Sequence, residues 1–192
     1  MRTTINKKLV KEILDKIEID QKMRKLFIAG KIKWDKRIDK KNTAWLKRIV
    51  KQYGWPTASL VGKRASYGAW LLVQHADHDL KFQKKVLAIL NEIYRKDNEE
   101  INSANVAYLT DRILVHEKKP QIFGTQFTRK SEKEKFKPFP IKDKRNVDKR
   151  RKKYDLPSLE TNERRINKEY EQLEGKKSHG KGKKRRNAMG RE

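Results

Sequence analysis

Between Val73 and Leu80 the chain reads Val73-Gln74-His75-Ala76-Asp77-His78-Asp79-Leu80, which sets two imidazoles and two carboxylates inside an apolar region. Three kinds of chemistry suit those groups: metal ligation, general acid/base catalysis, or the capping of a turn between helices. A zinc site of the familiar helical kind uses histidines four apart plus a third ligand. Here the histidines are three apart and only His116 and His179 remain elsewhere, so no metal site and no cofactor is expected. His78 and Asp79 read as a water-facing turn, with Asp77 or Asp79 capping the helix that starts at Leu80. Gln74 and His75 follow Trp70-Leu71-Leu72-Val73 directly, so at least one of them points inward. The structural reading of His75 is a satisfied buried group; the functional one is a general acid or base.

A second mixture of charge and apolar residues runs from Ala107 to Val115. Asp111 and Arg112 are adjacent, hence about 100° apart on a helix, and each needs a partner elsewhere. The planar fork of Arg112 suits a carboxylate or phosphate, and Asp77 or Asp111 is placed to orient His75. A structural salt bridge is the competing reading, because ion-pair networks perturb buried groups without catalysis. Gln121 and Gly124-Thr125-Gln126 complete the polar set.

The elements that must position these groups are mainly helical. Leu9, Ile13 and Ile17 recur every four residues in a charged segment, which predicts an amphipathic helix from Thr4 to about Phe27. Asn42 or Thr43 is the expected cap of a helix carrying Trp45, Leu46, Ile49 and Val50, which ends at Gly54-Trp55-Pro56. Residues 65–76 and 80–94 are helical by pattern with a break at Asp77–Asp79, and a further helix is expected from Ser103 to Leu114. Ile113-Leu114-Val115 and residues 121–127 flank a five-residue turn, so a small β-hairpin is expected there.

The motif series Tyr53-Gly54-Trp55-Pro56-Thr57, Val61-Gly62, Gln74-His75-Ala76-Asp77, Tyr108-Leu109-Thr110-Asp111-Arg112 and Pro120 to Gln126 resembles an uncharacterised bacterial family of unknown function. The resemblance covers residues 43–127 and brings no established activity. It implies that Trp55, Gln74, His75, Asp77, Asp111, Arg112, Gln121 and Gln126 belong to one unit around a shared polar pocket. Residues from 129 onward fall outside it and are expected to be an addition of this chain.

Charge separates that last third from the rest. The chain carries 51 lysines and arginines against 25 acids, a formal net charge of +26. Residues 129–192 hold 24 of those bases and 11 of the acids. Hydrophobic residues make up only 35%, low for a chain folded throughout. Absence of cysteine excludes disulfides and thiolate metal sites. No apolar run could span a bilayer, and the acid-rich N-terminus is no signal peptide, so a soluble cytoplasmic protein is expected.

Pro138, Pro140 and Pro157 interrupt the basic segment, which predicts an extended arm with one docking helix at 158–174 and a low-complexity tail. Its clusters are Lys144-Arg145, Lys149-Arg150-Arg151-Lys152-Lys153, Arg164-Arg165, and Lys183-Lys184-Arg185-Arg186. Cations neutralise phosphates, and Tyr154 and Tyr170 beside two clusters are placed to stack on unpaired bases. The expected fold is mainly α: residues 1–42 as an N-terminal helix and linker, 43–128 as a core with one short hairpin, and 129–192 as a long basic arm. The expected function is anchoring to RNA, favoured over DNA, or to a nucleoprotein assembly with other proteins. Sequence-selective readout and membrane association are not expected. The alternative is a hydrolase or group transferase with His75, Asp77, Asp111 and Arg112 acting on a small anionic substrate.

Overall fold

A computed structural model describes residues 4–131 and 134–172. Five long helices make the body: α1 (Lys7–Ile28), α2 (Lys36–Tyr53), α3 (Ala58–Gln74), α4 (Leu80–Lys96) and α5 (Ser103–His116). Helix α1 starts where the Asn6 side chain accepts from Leu9 N–H. It presents Leu9 and Ile13, both essentially buried, to α3. The approach is close because α3 offers Ala65, Gly68 and Ala69 on that side. A methyl group on Gly68 would stand 3.1 Å from Ile13 and Ile17 side-chain carbons. At Gly62 the backbone leaves helical geometry with φ +76°, so α3 is a short first turn joined to a longer helix. Trp45, Leu46, Trp55, Trp70, Val73, Val86 and Leu109 fill the centre, and the Trp70 indole donates to the Asn105 carbonyl at 3.0 Å.

Helix α2 begins six residues before the expected cap. Asp35 accepts from Arg37 N–H, while Asn42 and Thr43 are buried within the helix. The break between α3 and α4 lies where the sequence placed it, with Asp79 accepting from Phe82 N–H at 3.0 Å. The hairpin does not. Ile113-Leu114-Val115 complete α5, and the two strands are β1 (Phe127–Thr128) and β2 (Lys137–Pro138), paired antiparallel. Continuing the helix costs the β-branched Ile113 and Val115 little, and Ile113 gains a buried site in the core.

Residues 134–172 are folded onto the body rather than extended from it. Helix α6 (Val147–Lys152) and helix α7 (residues 159–172) belong to this segment. Val147, Leu156 and Leu159 are buried, and Leu156 joins Ala107 and Phe123 in a satellite cluster. Tyr154 stacks on Tyr94 and meets Phe123 edge-on. Tyr170 packs on Phe136, and Asn167 clasps the Phe136 peptide through both its N–H and its carbonyl. The expected boundary at residue 128 therefore crosses a hairpin and a packed interface. The two tyrosines are committed to the fold and not held ready for bases.

Gly124 sits at φ +68°, and a Cβ there would stand 2.8 Å from Ile141 Cδ1 and from Leu159 Cδ1. Gly124→Ala should combine a left-handed backbone penalty of about 1–2 kcal/mol with overpacking of about 1–3 kcal/mol. Gly62→Ala has the same backbone problem and open space around it, so only the first term applies. Urea unfolding should rank the two in that order; equal midpoints would mean the Gly124 contact is not tight.

Candidate functional site

Helix ends converge on an open hollow of roughly 380 Å3, lined by Arg24, Trp34, Lys36, Asp39, Lys40, His75, Asp77, His78 and Arg112. His75 is the last-turn cap of α3, Asp77 and His78 lie in the turn to α4, and Arg112 reaches in from α5. Arg24 comes from the end of α1, while Trp34 and the first turns of α2 close the other side.

Beneath His75 lies Asp20, a fully buried carboxylate on α1. Its Oδ2 accepts from Arg24 Nε at 3.1 Å and Gln21 Nε2 at 2.9 Å, and stands 3.0 Å from His75 Nδ1. Arg24 also donates through Nη2 to Asp39 Oδ1 at 2.6 Å and lies over the Trp34 ring. The Trp34 indole in turn donates to Asp39 Oδ2 at 3.1 Å. Burial pushes the Asp20 carboxyl up, yet His75 and Arg24 outweigh it and hold the group below the usual carboxylate range.

Asp77 and Arg112 form a closed pair: Nε to Oδ1 at 2.7 Å and Nη2 to Oδ2 at 2.5 Å. Gln83 adds a hydrogen bond to Asp77 at 3.3 Å, and Arg112 Nη1 reaches Gln126 Oε1 at 3.5 Å. Burial again works against the ionised carboxyl, and Arg112 wins, so Asp77 also lies below the usual range.

Asp111 is not part of this hollow. It is fully buried and accepts from Ile122 N–H, Phe123 N–H, Thr125 N–H and Thr125 Oγ1, at 2.7 to 3.2 Å. Desolvation raises its carboxyl despite those four donors. Gln121 is equally buried: its amide donates to the Gln126 and Phe139 carbonyls and accepts from Gln126 N–H. Asp111 and Gln121 shape the loop at 121–126 instead of facing a ligand. Trp55 and Gln74 lie in the core, 4% and 5% exposed. Of the expected polar unit, His75, Asp77 and Arg112 meet at the hollow and Gln126 adjoins them. The residue that faces His75 is Asp20, in place of Asp77 or Asp111. Asp20, Arg24 and Asp39 went unrecognised because they lie on α1 and α2, far from the motif series. Their one signal was a buried position for Asp20 on the apolar side of an amphipathic helix.

The basic clusters divide in two. Arg151 is 1% exposed and donates to the carbonyls of Phe123, Gly124 and Pro157, so it is a structural clamp with no face for a phosphate. Arg150 is similar, bonded to the carbonyls of Ile122, Lys142 and Asp143. Arg164 and Arg165 pair with Glu160 and Glu169 on α7. Lys144, Arg145, Lys149, Lys152 and Lys153 are exposed. Lys183 to Arg186 lie outside the described residues.

A family model described as "Family of unknown function (DUF6624)" matches residues 8–175, and the chain belongs to that family. The match takes in α1, which faces the hollow, and the basic segment through α7. That segment is therefore part of the family's extent and not an addition of this chain. No curated protein and no solved structure matches.

Substitutions of two neighbouring charged residues should separate structure from site. Asp111→Ala strands several buried donors and should cost about 3–5 kcal/mol. Arg112→Ala breaks a half-exposed pair and should cost about 1 kcal/mol. Chemical denaturation measures both, and near-equal losses would contradict the assignment. Because Asp20 and Asp77 are held low in the fold, their stabilisation is present above the ordinary carboxylate range and lost as pH falls through and below it. Asp20→Asn should make the acid limb of a stability–pH curve shallower; an unchanged limb would show that Asp20 does not contribute to it.

Proposed function

We propose that this member of a family of unknown function associates with nucleic acid or a nucleoprotein assembly, RNA ahead of DNA, through phosphate contacts without sequence readout. One observation carries the reading. Lys144, Arg145, Lys149, Lys152 and Lys153 crowd one short stretch, are exposed, and have no acidic partner among the described residues. Positions 149, 152 and 153 share a helix face by spacing. Such a cluster on a chain of net charge +26 attracts polyanions and gains free energy by counterion release. Arg150 and Arg151 hold the surface in shape from beneath. With Tyr154 and Tyr170 packed into the fold, base stacking by these tyrosines is no part of the reading.

The second reading is an enzyme acting on a small anionic substrate, and the His75–Asp20 contact at an open hollow favours it. His75 is the acid or base there, with Asp20 Oδ2 3.0 Å from its Nδ1. Asp77 and Arg112 fill each other's hydrogen-bonding capacity and shape the wall.

Binding of the full chain to a labelled single-stranded RNA across a salt series tests the first reading. Substituting the five cations by Gln should flatten the slope of log affinity against log salt by about 3–4 units, at about 0.7 per phosphate contact. Loss of the slope only on removal of residues 176–192 would move the anchor to the tail. Failure of the full chain to bind at physiological salt would overturn the reading. His75→Ala separates the alternatives: it should leave the salt slope intact, and abolish any turnover found by screening phosphate and carboxylate esters.

A further inference from the structure

The cluster beneath His75 is electrically unfinished. Asp20 and Asp39 bring two carboxylates to one place, and Arg24 alone among the described residues is hydrogen-bonded to both. All three contacts to Asp20 described above fall on Oδ2, and its buried Oδ1 has no partner. His75 Nδ1 is also buried and, although 3.0 Å from Asp20, is not aligned for a hydrogen bond. Other unpartnered buried atoms, such as Thr43 Oγ1 and Gln74 Nε2, are not members of such a cluster. Here the unmet oxygen belongs to the carboxylate whose other oxygen stands 3.0 Å from the unmet imidazole nitrogen, and both atom types are good ligands for a divalent ion. An unmet buried acceptor is costly, and more so where the group is charged.

We infer that Asp20, Asp39 and His75 form a binding site for one divalent transition-metal ion at the floor of the hollow. One ligand atom from each residue lies within 4.8 Å of the others. Ligand atoms on a shared ion stand about 3–4 Å apart for bonds of about 2.1 Å, so modest side-chain rotation closes the set. Imidazole with two carboxylates suits zinc, manganese, iron or cobalt rather than magnesium or calcium. The groups that would hold the ligands in place are already there: Gln21 and Arg24 on Asp20, and the Trp34 indole on Asp39. Arg24 does not substitute for the ion, since it neutralises one of two charges and leaves Asp20 Oδ1 unmet.

The inference stands apart from the nucleic-acid reading, because its residues lie on α1, α2 and α3 and none belongs to the basic clusters. Calorimetric titration of the chelator-treated full chain with Zn2+, and absorption spectra with Co2+, test it. One ion per chain is expected, with visible Co2+ bands showing protein ligation. Affinity should fall at least tenfold in His75→Ala and in Asp39→Asn and stay unchanged in His116→Ala, whose side chain does not line the hollow, with folding checked by circular dichroism. Asp39→Asn keeps the assay decisive if removal of a buried group disturbs the fold. No stoichiometric binding would overturn the site. Binding undiminished in both ligand variants would overturn it too, placing the ion elsewhere.

Discussion

The backbone of residues 122–125 is held between two buried charges of opposite sign, and the lower half of the molecule depends on that arrangement. Asp111 takes the N–H groups of Ile122, Phe123 and Thr125. Arg151 gives to the carbonyls of Phe123 and Gly124. The two side chains do not bond to each other; the polarised peptide groups lie between them. Each charge would be costly to bury alone, by several kcal/mol. Together they fix a loop whose Gly124 is pressed against Ile141 and Leu159. Asp111 is anchored in α5 and Arg151 in α6, so the loop joins the helical body to the C-terminal segment.

That arrangement explains why composition misjudges residues 129–172. A run of lysines and arginines with few apolar residues reads as solvated chain, because a charge is normally exposed. What composition cannot register is a guanidinium whose partners are carbonyls. Arg150 and Arg151 each bond to several main-chain oxygens, which contribute nothing to a charge tally. Once these two are built in, Val147, Leu156 and Leu159 suffice to seal the segment to the body. The exposed cations that remain are fewer, and they are carried by folded backbone.

Legibility followed the range of the signal. Helices α1, α4, α5 and the longer part of α3 were readable because apolar spacing is local and Asp79 caps within three residues; the first turn of α3, from Ala58, was not, since Gly62 interrupts it at φ +76°. The start of α2 was not, since its first turns are mostly charged and carry no apolar stripe, and Asp35 was one polar residue among many. Ile113-Leu114-Val115 look like a strand in isolation, yet Asp111 must stay on a helix for its carboxylate to meet the loop backbone. The tertiary demand outweighs a weak β preference. At the hollow, His75, Asp77 and Arg112 were legible from their motif. Asp20 was not, because its partner lies far along the chain and the two meet only where Gly68 lets α1 approach α3.

Counting partners distinguishes Asp20, Asp77 and Asp111 more clearly than their proximity does. Asp111 has four donors and faces no open space, so nothing is left for a ligand to satisfy. Asp77 is matched atom for atom by Arg112, and opening that pair to admit an anion would forfeit two charge-assisted bonds. Asp20 is different: one oxygen is crowded with contacts and the other has none. A fold can satisfy a buried acid completely, as Asp111 demonstrates a few helices away. An acid left half satisfied beside an imidazole and a second carboxylate, under a hollow open to water, is where this molecule has capacity to spare.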